Sequence, residues 1–218
     1  MSTFIYIQNV DCGLAPCVHR GVWSLALCKP AIRRRAAKGD VVIAVSPKRD
    51  GHRLSSWARL DEPVSTADFF TQYPKTRPDN IYQLTAKGHF LRHSKVKHKL
   101  HQSDGDLSHD LGKGGKNARV LVSSDFYCFG KDAVPLEQWT KDRKALRRVM
   151  DALGRATRRY FNDAVEDDLK HLKCFLRTNQ SRHHNRPFVP REPALDLPCG
   201  SEKDDKKYSV CNPSKKKR

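Results

Sequence analysis

No apolar run in this chain approaches the roughly 18 residues that a membrane-spanning helix needs. No basic stretch precedes an apolar one in the N-terminal MSTFIYIQNV, so no secretory signal is expected and the chain reads as cytoplasmic, with no membrane partner. The seven cysteines are odd in number and irregular in spacing, which argues against a disulfide framework. Cys12, Cys17, His19 and Cys28 are ligand types for tetrahedral zinc, but their spacing lacks the close pair of a zinc knuckle. No metal and no other cofactor is expected. The glycine-rich Gly112–Gly115 lacks the spacing and the preceding strand of a phosphate loop, so it reads as a connection. There is no internal repeat.

What the chain has in excess is positive charge. Its 218 residues carry a formal net charge of +18. Charge of that size points to a polyanionic partner: DNA or another nucleic acid, a nucleotide, or anionic lipid, with nucleic acid or nucleotide favoured because the charge runs through ordered-looking segments as well as the tail. The oligomeric state is left open.

Cys28 to Pro47 reads as helix, stop, buried strand. Pro30 suits a first helical turn, Ile32 and Ala36 share a face, and Gly39 fits a left-handed stop. Val41 to Val45 is apolar without alternation, as in a strand covered on both faces. Further strands are expected at Phe4–Val10, Leu54–Leu60, Asn80–Leu84 and Arg119–Gly130, with Val22–Leu27 either a short strand or a lead into the helix. A hairpin turn is expected at Asp50–Gly51, and a short helix with Thr66 as its N-cap. From Thr85 to Asn117 the chain is polar and without periodicity. From Leu136 to Tyr160 apolar residues recur at three and four, and a second helix covers Asp163–Leu176. The order suggests an α+β fold: a small, curved, antiparallel sheet or barrel over 1–135, appended C-terminal helices over 136–177, and a basic, mostly disordered tail over 178–218.

Three sets of residues carry candidate chemistry. Arg33, Arg34, Arg35, Lys38, Arg143 and Arg147 are placed as contacts to a nucleic-acid backbone. Trp57, Asp79, Asn80, Tyr82, Phe126 and Tyr127 are candidates for a pocket that stacks one base and reads its edge. His109, flanked by Asp106 and Asp110, and Asp125 are the acid–base candidates.

Four segments occur in one order: CKPAIRRRAAKGDVVIAV from Cys28, DNIY at Asp79–Tyr82, DLSHD at Asp106–Asp110, and RVLVSSDFYCFGKDAVPL at Arg119–Leu136. Together they make residues 3 to 137 resemble the bacterial and phage nucleotide-modification-associated domain family of the second type. The resemblance implies a setting, the modification or handling of altered DNA bases, and no particular reaction. The strand order is similar to that of PUA-like folds, an analogy at the level of fold. On this basis the expected function is recognition of a modified nucleobase in DNA, or of a modified nucleotide. The alternatives are an enzyme that makes, alters or removes such a base, and a basic docking protein without a pocket.

Overall fold

The computed structural model describes residues 1–9, 11, 13–92, 104–153, 158–160 and 163–179. Cys12, the histidine- and lysine-rich insert at 93–103 and the basic tail from 180 lie outside the described residues.

Two small sheets form the frame of a mixed α+β fold. The first has strands β1 (Thr3–Ile7), β4 (Val41–Val45), β5 (Leu54–Arg59), β10 (Asp125–Cys128) and β11 (Arg158–Tyr160), in the order β10-β5-β4-β1-β11. The second has β2 (Cys17–His19), β3 (Val22–Leu25), β9 (Arg119–Ser123) and β6 (Val64–Ser65), in the order β2-β3-β9-β6. A hairpin of β7 (Tyr82–Leu84) and β8 (Phe90–Arg92) stands apart. Pairing is antiparallel except between β1 and β4, which run parallel because the chain crosses over through β2, β3 and helix α1 (Pro30–Arg35) between them. No barrel closes among the described residues.

The unalternating Val41–Val45 run is covered on both faces, as its composition requires. Val41, Ile43 and Val45 pack in one core, while Val42 and Ala44 pack in another, between the two sheets. The first core is closed by helices α4 (Leu136–Thr140), α5 (Lys144–Asp151) and α6 (Asp163–Asn179), through Trp139, Leu146, Met150, Leu169, Leu172 and Leu176. These helices therefore share a core with the first sheet. A third core, on the outer side of the second sheet, collects Phe69 of α2 (Thr66–Gln72), Tyr82 and Leu111 of α3 (Asp104–Leu111).

Several local expectations shift. The first helix ends at Arg35, well before Gly39, and Gly39 closes a separate turn at φ +84°. Ser65, not Thr66, caps α2 by accepting from the Asp68 N–H. The Leu136–Tyr160 stripe is not one helix. It breaks at Lys141–Arg143, where Asp142 sits at φ +59°, and Tyr160 belongs to a strand. Arg119–Gly130 is two strands that turn at Ser124 into different sheets. There the Ser123 hydroxyl accepts from the Asp125 N–H, and the β9 end is tied back to the Arg59 carbonyl.

The β4–β5 turn carries a buried titratable group. His52 is 5% exposed, and its Nε2 finds no hydrogen-bond partner among the described residues. Burial first, then Lys48, lowers its pKa from the ordinary 6.5, against a smaller opposing pull from Asp151. The fold thus favours the neutral ring, while the unfolded chain takes up a proton near 6.5. Stability from this group is complete above pH 6.5 and declines as pH falls through the folded value. His52→Asn tolerates the left-handed φ of 48° at this position. The expected result is a flatter loss of melting temperature between pH 7 and pH 5 in this variant. The difference in slope is bounded by about 1.4 kcal/mol per pH unit. Parallel curves for the two proteins would remove His52 as the cause.

Candidate nucleic-acid interface

Helix α1 lies across the second sheet and buries its whole first turn: Pro30, Ala31, Ile32 and Arg33 are covered, while Arg34 and Arg35 are exposed. Ile32 and Ala36 reach the core between the sheets. Arg33, expected as a backbone contact, is completely buried. Its Nε donates to the Cys28 carbonyl at 2.9 Å, and Nη1 donates to the carbonyls of Asn117 and Arg119 at 2.7 and 2.9 Å. Nη2 donates to the Asp110 carbonyl and lies 3.9 Å from that residue's carboxylate. Burial lowers the pKa of Arg33, with Asp110 working against the shift, but a guanidinium stays charged at neutral pH. Arg33 is therefore an internal strut between α1 and the segment after α3.

The other end of this strut is Asp110, also completely buried. Its carboxylate accepts from the Cys28 N–H at 2.7 Å and from the Tyr82 hydroxyl at 2.9 Å. Burial first, then Asp110, raises the Tyr82 pKa, so the phenol remains a donor. Cys28 and Lys29 are consecutive non-glycine residues in the left-handed region, at φ 56° and 43°. A buried carboxylate that binds the Cys28 N–H holds that strained turn in place. Three expected site residues, Arg33, Tyr82 and Asp110, thus converge, though as a buried brace rather than an open pocket.

The brace presents a basic surface. Arg34, Arg35 and Lys38 are exposed along α1 and the turn after it. Arg34 Nη1 donates to the Asn117 side-chain oxygen at 2.6 Å, and Arg119 Nη1 donates to the Arg34 carbonyl at 3.2 Å. Asn117 also donates to the His109 carbonyl at 3.1 Å, closing the turn after α3. That turn needs Gly112: at φ +70° a Cβ there would lie 2.7 Å from Lys116 Cγ and 2.8 Å from Asn117 Nδ2. Lys113 and Lys116 project from it, exposed. Arg34 and Arg119 stand beside the turn that carries Lys113 and Lys116, and Arg35 and Lys38 add further exposed cations along α1 and the turn after it. Lys113 and Lys116 sit in or beside the glycine-rich segment that the sequence presents as mere connection. The signal present is a lysine on each side of the Gly114–Gly115 pair.

The other candidates do not join it. Asp110 points inward while His109 lies half-buried on the flank of α3, because neighbours on a helix do not face each other. Asp125 sits at the far end of the first sheet, where Lys173 Nζ of α6 lies 2.5 Å from its carboxylate. Among the described residues Asp110 and Asp125 are engaged in different layers.

The expected base pocket is also divided. Phe126 packs between the sheets, while Tyr127 and Trp57 pack under α4–α6, with their rings edge to face at 6.0 Å. Asp79 is buried in the outer layer, bound by Arg77 Nε at 3.0 Å and by the Ser24 hydroxyl. Asn80 donates to the Tyr73 carbonyl at 3.2 Å. These side chains are core and turn elements, so they form no common stacking platform. Arg143 is buried and Arg147 is paired with Asp151 at 3.3 Å, both on the helical layer across the first sheet from α1. Among the described residues no group of His, Cys, Asp and Glu is placed to hold a metal ion, and no helix is long and apolar enough to cross a membrane.

What fold and surface define together is a basic two-sheet α+β domain with a braced cationic face. The chain belongs to the family described as nucleotide modification associated domain 2, whose model matches residues 1–192. The match extends beyond the 3 to 137 covered by the motifs, through the helices that complete the first core. It puts the chain in the setting of nucleotide modification. No curated protein and no solved structure matches it.

Proposed function

We propose that this protein binds DNA through the face of Arg34, Arg35, Lys38, Lys113, Lys116 and Arg119, and serves as a recognition module for altered bases in a base-modification system. The observation that carries the reading is the buried Arg33–Asp110–Tyr82 brace. It fixes a short helix of only six residues, one that would be marginal alone, so that its outer arginines stand beside the lysines of the α3 turn. A rigid row of cations suits phosphates at little ordering cost. The separation of Asp110 from Asp125, and the internal bonds both make, favour binding over catalysis.

The test uses the full chain and duplexes that carry cytosine, hydroxymethylated cytosine or glucosylated cytosine. Affinity is measured by fluorescence anisotropy, and the recovered DNA is weighed by mass spectrometry. Recognition predicts tighter binding to one altered duplex and unchanged DNA masses. A released or altered base would establish the enzymatic reading instead. Equal affinity for all three duplexes would leave docking without recognition and defeat the proposal.

A further inference from the structure

The helical layer holds a groove on the opposite side of the first sheet from the DNA face. It lies between the α4–α5 turn and the C-terminal half of α6, with a volume of about 580 Å³. That is within the range of roughly 300–1,000 Å³ typical of small-molecule sites. Its walls include Gln138, Lys141, Arg143, His171, Phe175 and Thr178.

The unusual member is Arg143. Only 9% exposed, its guanidinium lies 5.2 Å from the centre of the Phe175 ring. Nη1 donates to the Lys141 carbonyl at 2.8 Å and Nη2 to the His171 carbonyl at 3.3 Å. Its Nε N–H meets no acceptor among the described residues. The hydrogen-bond partners of this cation are thus neutral carbonyls. Asp168 and Asp142 favour its charge through space, but the Asp168 carboxylate is itself bound to the Leu146 N–H at 2.9 Å. Lys141 is exposed at the rim and adds to the positive potential; His171, also exposed there, lies 3.9 Å from the Asp167 carboxylate, and Asp142 is the acid on the groove wall itself. The turn that presents Lys141 and Arg143 is held by Asp142 in the left-handed region. A buried cation with no direct carboxylate partner among the described residues, beside an aromatic ring and below an exposed lysine, is a candidate to receive an anion. The ring, the Gln138 amide and the Thr178 hydroxyl suit a planar, hydrogen-bonding body attached to that anion.

We propose that this groove binds a nucleoside phosphate, separately from the DNA face. The phosphate meets Lys141 and His171 in the field of Arg143. The base lies against Phe175, with its edge toward Gln138 and Thr178.

The test is calorimetric titration of the full chain with deoxycytidine and deoxyadenosine 5′-monophosphates, the two nucleosides, and inorganic phosphate. The expected result is that a 5′-monophosphate binds at least about tenfold more tightly than its nucleoside or phosphate alone. Lys141→Glu combined with His171→Glu, both at exposed positions, should weaken it by about tenfold or more without moving the melting temperature. Phe175→Leu, which keeps apolar bulk, should weaken it several-fold. Binding of phosphate as tight as that of the nucleotide would reduce the groove to an anion site and overturn the proposal. So would absence of binding at millimolar nucleotide, or affinity unchanged by the charge reversals. Duplex DNA should leave nucleotide binding intact; displacement by DNA would overturn the separation of the two sites.

Discussion

Arg33→Met is expected to destabilise the protein by about 3–5 kcal/mol, the scale found when one partner of a buried charged network is removed. The substitution keeps much of the apolar stem. It takes away the donors that hold four carbonyls, those of Cys28, Asp110, Asn117 and Arg119, and the nearest cation to the Asp110 carboxylate. The bonds to Asn117 and Asp110 are buried and those to Cys28 and Arg119 part-buried, so water cannot replace the inner pair without opening the structure. Lys38→Ala, at an exposed position of the same segment, is expected to stay within about 0.5 kcal/mol. Asp110→Asn combined with Arg33→Met should cost less than the sum of the two single changes, because the uncompensated carboxylate is gone. Denaturant unfolding is measured for the native chain and the four variants, Asp110→Asn alone included. A cost below about 1 kcal/mol for Arg33→Met would mean that the brace contributes little to the fold.

The second large effect concerns binding. Arg34→Glu combined with Arg35→Glu reverses two exposed charges of the cationic face. Arg34 does give up its bond to the Asn117 oxygen, a part-buried interaction worth on the order of 1–2 kcal/mol of stability. Binding should fall far more than stability. Removing an arginine from a phosphate also removes one released counterion, and repulsion replaces attraction, so DNA affinity is expected to drop by about 100-fold at low salt. Arg147→Glu, on the helical layer, should change DNA affinity by less than about twofold, since that side chain is engaged with Asp151 away from α1.

Much of the frame was legible in the sequence. The five-residue Val41–Val45 run showed its double burial through the absence of alternation, and Pro30 marked the start of α1. The helical stripe from Leu136 identified the residues that cover the sheet, although the break at Asp142 depends on a left-handed turn that periodicity does not reveal. The division of the aromatic set was also readable. Phe126 and Tyr127 are adjacent on a strand, so they must face opposite sides. That period of two keeps them from forming one platform. On a helix the same reasoning separates His109 from Asp110.

The role of Arg33 was not legible. Three consecutive arginines look alike in sequence, and what separates the first is a carboxylate and carbonyls more than seventy residues away. Helix α1 buries its whole first turn, with β9 and α3 both packed against the helix, so a stripe defined by Ile32 and Ala36 does not mark Arg33 as buried. The lysines of the α3 turn escaped for a related reason. Only the fold brings Lys113 and Lys116 beside Arg34, through Asn117.

The most direct measurement is the salt dependence of DNA binding by the native chain and by the Arg34→Glu/Arg35→Glu variant, followed by anisotropy over a range of monovalent salt. A braced cationic face predicts a steep linear fall of log affinity with log salt for the native chain. It predicts a slope shallower by about two for the variant, one for each arginine taken off a phosphate. Identical slopes and affinities would place DNA binding elsewhere on the molecule and contradict the assignment of this face.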